Sequence, residues 1–587
     1  MHHTTHTAMI RDLEQIARAK AEEWLQSAID STTKKQVEEL LLAPDRTLLV
    51  NNFYKALEFG TGGLRGIMGV GPNCMNRYTV GAATQGLSNY LLKTFPQTEI
   101  RVAIAYDSRR LSREFAQITA GVFSANGIIV YLFPELRPTP LLSFAIRYFQ
   151  CQAGVVITAS HNPKEYNGYK AYWSDGGQLV PPHDKRVIDE VNNISDFNQI
   201  RFNADQNKIR MAGHEVEEAY YDQVLKIIPA QEAIRQHAFM PIVFSSLHGT
   251  GATMVPECLK RLGFTHCFTV TEQNDPNGDF PTVHSPNPEE QAAMALALKL
   301  AEEKNAELAM ATDPDADRVG LAIKDDQGKF FLLNGNEAFT LMMGFILSHI
   351  KDTKDRYIAK TIVTTELIDV MAAHFGVTCY NTLTGFKYIA ALIRTWEGKK
   401  HFVAAGEESY GYMVGDFVRD KDGVSACAFF AAMAASAKAQ GQSLYDWLIQ
   451  NYITYGYYKE ILINLTRTGA EGAKQIKSMM EKFRNNPPAS LGGEKIVRIL
   501  DYQLQRETDT LSGKTKPLSL EIADVLQFYT AEGSKISLRP SGTEPKIKFY
   551  ISVNTRLHRR EDFHKVSTQL DGKLKIIAAE LTDHKTG

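Results

Sequence analysis

The feature that most constrains this chain is a strand–helix–strand pattern that returns three times. Residues 101–106 read as a strand, 112–126 as a helix and 128–133 as a second strand. The order recurs at 241–245, 255–262 and 266–270, and again at 357–363, 366–375 and 378–381. In each unit a helix of about 8–15 residues separates short β-branched runs, which is the signature of parallel strands joined by a crossover. A glycine follows each helix (Gly127, Gly263, Gly376), as a C-terminal cap would. Three such units predict an internal structural repeat, although identity between them is slight.

Around this repeat the chain has two other parts. Residues 9–42 read as helix, with Ile10, Leu13, Ile16, Ala17 and Trp24 at helical spacing. Beyond about residue 450 come shorter strands, a helix over 470–484 and the surface loop Asn485-Asn486-Pro487-Pro488, together an α+β segment. The expected division is a helical lead-in (1–44), three α/β domains (45–220, 221–328, 329–450) and a C-terminal α+β domain (451–587).

Composition excludes several function classes. Net charge of -2 gives no reason to expect nucleic acid or an acidic membrane as partner. Six Cys with no Cys-x-x-Cys pair make neither a disulfide framework nor a zinc ribbon, so reduced thiols and a cytoplasmic location are expected. The first residues lack a signal-peptide core, and the longest apolar stretch, 426–435, is too short to span a bilayer.

Four stretches carry chemistry. In Gly154-Val155-Val156-Ile157-Thr158-Ala159-Ser160-His161-Asn162-Pro163, a buried strand runs into a polar turn. It presents the Ser160 hydroxyl beside the His161 imidazole, where open α/β sheets place a nucleophile. Alone, it is equally an ordinary turn in which Ser160 caps something. In Asp313-Pro314-Asp315-Ala316-Asp317-Arg318, three carboxylates at i, i+2 and i+4 can converge on one hard cation. An EF-hand is excluded, because Arg318 stands at the loop glycine and Lys324 at the closing glutamate. In Arg539-Pro540-Ser541-Gly542-Thr543, a guanidinium, two hydroxyls and free N–H groups suit a phosphate, and strand alternation beyond Pro545 lets Lys548 reach back to it. Glu407-Glu408-Ser409 pairs a carboxylate with a hydroxyl, which suits vicinal sugar hydroxyls. A glycine-rich loop, residues 60–66, is equally a plain turn or an anion loop in which Arg65 can bind phosphate.

Together these stretches resemble the α-D-phosphohexomutase family, in the family's order and over about residues 45–555. The resemblance implies four domains around one cleft, the first three alike. It implies that Ser160 is carried phosphorylated, and that Asp313, Asp315, Asp317 and the Ser160 phosphate bind one Mg²⁺ per chain. Glu407 and Ser409 are similar to the sugar-binding loop; Arg539, Ser541, Gly542, Thr543 and Lys548 to the phosphate loop. Lys548 stands where the family often has Arg, which keeps charge but loses the bidentate fork. Lys387, in Thr384-Gly385-Phe386-Lys387, resembles the catalytic lysine; Lys170 and Arg65 match further active-site positions, and Arg318 is a cation beside the phosphoryl group. The implied partners are small-molecule sugar phosphates, with glucose 1,6-bisphosphate as intermediate and activator. The helical lead-in and the loop Val418-Arg419-Asp420-Lys421-Asp422-Gly423 resemble the longer branch, which includes bacterial phosphoglucomutases and phosphopentomutases. Glucose, mannose and pentose phosphates, and the oligomeric state, stay open.

Overall fold

The computed structural model of the protein describes residues 2–59, 63–467, 469–541 and 545–583. Four β-sheets follow one another along the chain. The first runs in the order Gly63–Ile67, Tyr166–Trp173, Ala153–Ile157, Arg101–Tyr106, Ile129–Leu132, Ile209–Met211. Its central strands are near-continuous apolar runs, Val102 to Ala105 and Val155 to Ile157, all essentially inaccessible to solvent. A parallel sheet covered on both faces requires that. The second sheet orders Phe330–Leu332, Val319–Lys324, Leu308–Thr312, Ile242–Ser245 and Cys267–Thr269; the third orders Thr378–Thr382, Arg356–Thr361, His401–Gly406 and Tyr412–Val414.

All three expected crossovers are present. The helices Ser112–Ala125, Gly251–Leu262 and Leu367–His374 each join neighbouring parallel strands. Gly127, Gly263 and Gly376 have φ of 83°, 109° and 70°, the left-handed conformation that ends a helix. The fourth sheet is antiparallel and includes the neighbours Tyr457–Thr466, Lys546–Thr555, Lys535–Pro540 and Leu526–Thr530. Ile547, Phe549 and Ile551 are buried on one face, where the helices Gly469–Asn485 and Phe563–Asp583 pack. Lys546 and Lys548 alternate to the other.

The lead-in differs from expectation. It is two helices, His2–Gln26 and Ser31–Leu42, because Asp30, held by Tyr78, breaks it. Asp30 accepts from Thr33 N at 2.9 Å and caps the second helix. Tyr78 Oη donates to Asp30 Oδ2 at 2.8 Å and accepts from Asp30 N at 2.7 Å. The local signal is Asp30, an N-cap residue, which a reading of apolar spacing alone passes over.

Two features hold the sheets around one cleft. The helix Gly423–Ala439 is buried from Gly423 through Ala437 and packs on elements of both the second and third sheets. A helix apolar all round belongs in a core. At its start a Cβ on Gly423 would lie 2.5 Å from Ala316 O, so only glycine allows this approach. The second feature is the seam between the third and fourth sheets. Lys535, 3% exposed, donates to the carbonyls of Ile362 (3.2 Å) and Thr364 (3.0 Å), and Gln527 Nε2 to that of Ile362 (2.8 Å).

Burial, then the nearby Lys360 ammonium, pulls the Lys535 pKa down to about 8, against Glu366, Asp369 and Glu460. The unfolded chain then holds more protons than the folded one between about pH 8 and the ordinary lysine pKa. Stability contributed at this site should rise across that window by roughly 3 kcal/mol. Urea unfolding at pH 8 and pH 10 should show wild type gaining on Lys535→Met by that order. An equal gap at both pH values would contradict it.

Candidate active site

Each motif begins where a strand ends. Ser160 follows Ala153–Ile157, Asp313 follows Leu308–Thr312, Glu407 follows His401–Gly406, and Ser541 follows Lys535–Pro540. Ser160 is 4% exposed and sits at φ 51°, an uncommon conformation for a residue with a Cβ. Its N–H donates to Thr158 Oγ1 at 2.8 Å. Its Oγ donates to Asp313 Oδ2 at 2.6 Å and lies 3.3 Å from His161 Nδ1. Burial, then Arg318 and Arg65, hold the His161 pKa well below its ordinary value, so the ring is neutral.

The three aspartates are buried, with carboxylate oxygens within 4.8 Å of one another. Ala316, at φ 51°, turns the chain back on itself, and the N–H groups of Asp317 and Arg318 both donate to Asp313 Oδ1 at 3.1 Å. Lys170 reaches in from the first sheet and donates to Asp315 Oδ2 at 2.6 Å and Asp317 Oδ2 at 3.1 Å. Thr139 Oγ1 donates to Asp315 Oδ2 at 2.8 Å. Asp315 Oδ1 and Asp317 Oδ1 are buried with no hydrogen-bond partner among the described residues. Burial, then Asp315 and Asp317, push the Asp313 carboxyl well up; Asp317, against its own burial, is held far down by Lys170, then Lys421 and Arg318. Orphaned carboxylate oxygens beside a third carboxylate and a hydroxyl form a donor set fit for a hard divalent cation.

Above this floor lies a cavity of about 730 Å³. His161 and Arg318 line one side, Lys387, Glu407 and Ser409 another, and Arg539 and Lys548 a third. Glu407 accepts from Gly385 N at 2.8 Å. Its pKa is pushed up to about 7 by burial, against Lys421, with Glu408 adding to the rise. Burial lowers the Lys387 pKa, with Asp184 opposing. Arg539 stands opposite Lys548 in the ladder, so both cations leave the same face. Such a wall attracts anions. Arg65 donates to Asn162 Oδ1 at 3.1 Å, bracing the serine loop, and Ser541 N donates to Lys546 O at 2.7 Å. Gly542 and Thr543, like residues 60–62, lie outside the described residues.

Several residues of the site escaped sequence reasoning. Lys421 lines the cavity and lies 3.3 Å from Asp317 Oδ2. Its one signal was a loop noted for its resemblance alone. Glu289 accepts from Arg318 Nη1 at 2.6 Å and so sets that guanidinium at the cavity wall. Lys546 adds a further cation.

Comparison with known proteins places this architecture. Family profiles described as phosphoglucomutase/phosphomannomutase, alpha/beta/alpha domains I, II and III, match residues 56–198, 218–328 and 334–455. The chain is 36% identical to a phosphoglucomutase of Staphylococcus haemolyticus, over 89% of this chain and 94% of that one. It is 37% identical to a phosphoglucomutase of Staphylococcus aureus, over 92% and 96%. Its fold matches pp63/parafusin, a phosphoglucomutase of Paramecium, in its open form, with a TM-score of 0.68 at 19% identity, over 90% of this chain and 97% of that one. A phosphoglucomutase/phosphomannomutase family protein of Burkholderia thailandensis matches with a TM-score of 0.62 at 17% identity, over 88% and 96%. The chain therefore belongs to the phosphoglucomutase/phosphomannomutase family, the α-D-phosphohexomutases.

Proposed function

We propose that the protein is a cytoplasmic phosphoglucomutase that interconverts glucose 1-phosphate and glucose 6-phosphate through a phosphoserine and glucose 1,6-bisphosphate. One observation carries the reading: Ser160 Oγ lies 2.6 Å from a buried aspartate triad, beneath a cavity lined with cations. The name phosphoglucomutase borne by relatives more than a third identical supports the glucose assignment. Six free thiols fit the cytoplasm, and among the described residues no helix is long and apolar enough to cross a membrane. In functional terms we divide the chain into a lead-in (1–44) and serine (45–220), metal (221–328), sugar (329–450) and phosphate (451–587) domains.

Asp313, Asp315 and Asp317 would hold one Mg²⁺ per chain, which neutralises charge on phosphoryl oxygens. The substrate's phosphate is gripped by Arg539 and Lys548 with Ser541, Gly542 and Thr543; Glu407 and Ser409 accept its sugar hydroxyls. Its free hydroxyl then faces the phosphoryl group on Ser160. As the new O–P bond forms, the hydroxyl proton passes to the Lys387 amine, which its burial makes easier to discharge. The bond from phosphorus to Ser160 Oγ breaks, and Oγ takes up a proton and rests against Asp313 as it does here. Arg318 and Lys170 hold positive charge near the transferring group, and His161 offers a neutral ring beside it. The bisphosphate turns over, its other phosphate enters the cradle, and Ser160 is rephosphorylated as the isomer leaves. A closed cavity keeps water from the phosphoserine.

A coupled assay on glucose 1-phosphate with catalytic glucose 1,6-bisphosphate should yield glucose 6-phosphate and no free phosphate. Ser160→Ala should lower kcat by more than about a thousandfold with the fold intact. Free phosphate as the main product, or near-normal turnover in the variant, would refute the mutase reading. Ribose or mannose 1-phosphate preferred by about tenfold in kcat/KM would move the substrate and leave the chemistry.

The ionised Glu407 carboxylate accepts sugar hydroxyls at both oxygens in charge-assisted bonds; protonation turns one oxygen into a donor and leaves only a neutral carbonyl to accept. kcat/KM should therefore rise by about tenfold from pH 6 to pH 8. The pH-rate profile of Glu407→Gln should be lower and lack this limb. A limb of unchanged position in the variant would exclude Glu407 as its source.

A further inference from the structure

A second buried charge near the nucleophile has no part in the chemistry above. Arg109 lies in the turn Asp107-Ser108-Arg109-Arg110, just beyond the strand Arg101–Tyr106, and is 3% exposed. The turn belongs to none of the sequence motifs described above. In the structure its guanidinium faces the serine loop. Nη2 donates to Ser160 O at 2.6 Å and to Asn162 O; Nη1 donates to Pro163 O at 2.9 Å and Tyr166 O at 3.0 Å. Four carbonyls of one loop thus converge on one side chain.

The guanidinium is itself fixed. Asp107 Oδ2 lies 3.4 Å from Arg109 Nε, and Asp107 Oδ1 accepts from Arg109 N at 3.0 Å and Ser112 Oγ at 2.7 Å. The Phe280 ring covers one face, 5.0 Å from the guanidinium carbon. Phe280 belongs to the metal-binding half of the cleft. Beside it, a Cβ on Gly278 would come within 2.4 Å of Arg110 N, so the two backbones are in direct contact.

We infer that Arg109 is the positioning residue of the nucleophile: its fork holds Ser160 in the left-handed conformation that sets Oγ against Asp313. A residue with a Cβ at φ 51° is held only where its surroundings over-determine it. The bond to Ser160 O acts on the peptide that must rotate if Ser160 relaxes. The bonds to Asn162, Pro163 and Tyr166 stop the rest of the loop from following. Lysine cannot replace this, because an ammonium has no planar fork. Arg109 bonds the loop's backbone, and its assigned role requires no contact with the sugar.

The kinetic arm of the test rests on the phosphoglucomutase reading; the exchange arm does not. In Arg109→Lys, kcat should fall on the order of 100-fold, the cost of misplacing a reacting atom by about 1 Å. KM should stay within about threefold, since the sugar and phosphate walls are untouched. Uptake of phosphoryl by Ser160 from glucose 1,6-bisphosphate, followed by intact mass, should slow by the same factor as kcat. Amide hydrogen exchange in residues 158–166 should quicken about tenfold, with the strands Ala153–Ile157 and Leu308–Thr312 unchanged. Asp107→Asn keeps the volume and loses the aiming carboxylate. It should show the same pattern reduced, with kcat down about tenfold and loop exchange quickened about threefold, and it decides the matter if Arg109→Lys does not fold. Unchanged kcat and unchanged loop exchange in a folded variant would overturn the inference. So would a kcat loss matched by faster exchange throughout the sheet, the mark of a merely structural role. Faster loop exchange in a protein whose wild type makes no glucose 6-phosphate would sustain the clamp and discard the mutase.

Discussion

Everything in the cleft depends on burying three carboxylates side by side. Each loses its hydration, and each repels the other two. The chain offsets this from three directions. Lys170 comes from the first sheet, Lys421 from the loop before the central helix, and Arg318 from the aspartate turn itself. Three carboxylates meet three cations, but Arg318 is shared with Glu289 and Lys421 with Asp420, and two carboxylate oxygens have no hydrogen-bond partner among the described residues. The balance is deliberately incomplete in the sense that matters chemically: a hard cation completes it. A protein could not keep this arrangement for stability alone, since apolar side chains of the same volume fill a core at less cost.

That requirement explains why the sheets meet where they do. The loop carrying Lys421 is pinned on both sides. Tyr172 Oη and Gln178 Nε2 donate to Asp420 Oδ2 at 2.7 Å and 2.9 Å, and Tyr220 Oη donates to Asp422 at 2.7 Å and 2.8 Å. Ser143 Oγ accepts from Arg419 N at 2.8 Å. The aspartate turn is backed in the same way: Thr250 N and Oγ1 donate to Pro314 O at 2.8 Å and 2.9 Å, and a Cβ on Gly249 would sit 2.4 Å from Pro314 Cα. Lys170, Thr139 and Ser160 bind the first sheet to the second at the triad itself. The fourth sheet is joined differently, through Lys535 and Gln527 to backbone carbonyls. An apolar cluster closes the same seam, with Ile362, Val363 and Leu383 of the third sheet's side against Leu500, Tyr502, Val525 and Tyr550 of the fourth.

Much of this was legible in the sequence, for a local reason. The crossover units show because a buried parallel strand and an amphipathic helix differ in period, and a glycine marks each helix end. Ser160, the aspartates and Glu407 show because each motif is contiguous and follows a strand, and Arg539 because its motif closes one. The rest is carried by pairs far apart in the chain. Lys421 is delivered by Asp420 and Asp422, whose partners Tyr172 and Tyr220 lie more than two hundred residues away. Arg109 lies in no motif, and its partners are carbonyls of the serine loop more than fifty residues away. The break between Gln26 and Ser31 is made by Asp30, which caps the second helix and is held by Tyr78, 48 residues away. In each case the deciding partner is tertiary, and residue spacing cannot register it.

The most direct test of this account is divalent-ion binding to the purified protein. Metal-stripped wild type should take up one Mn²⁺ per chain, seen as loss of the free-ion EPR signal, and Mg²⁺ should compete it off. Asp315→Asn, folded by circular dichroism, should bind at least about tenfold more weakly. A wild type that takes up no ion, or an Asp315→Asn variant that binds as tightly as wild type, would contradict the claim that the buried triad is built around a cation.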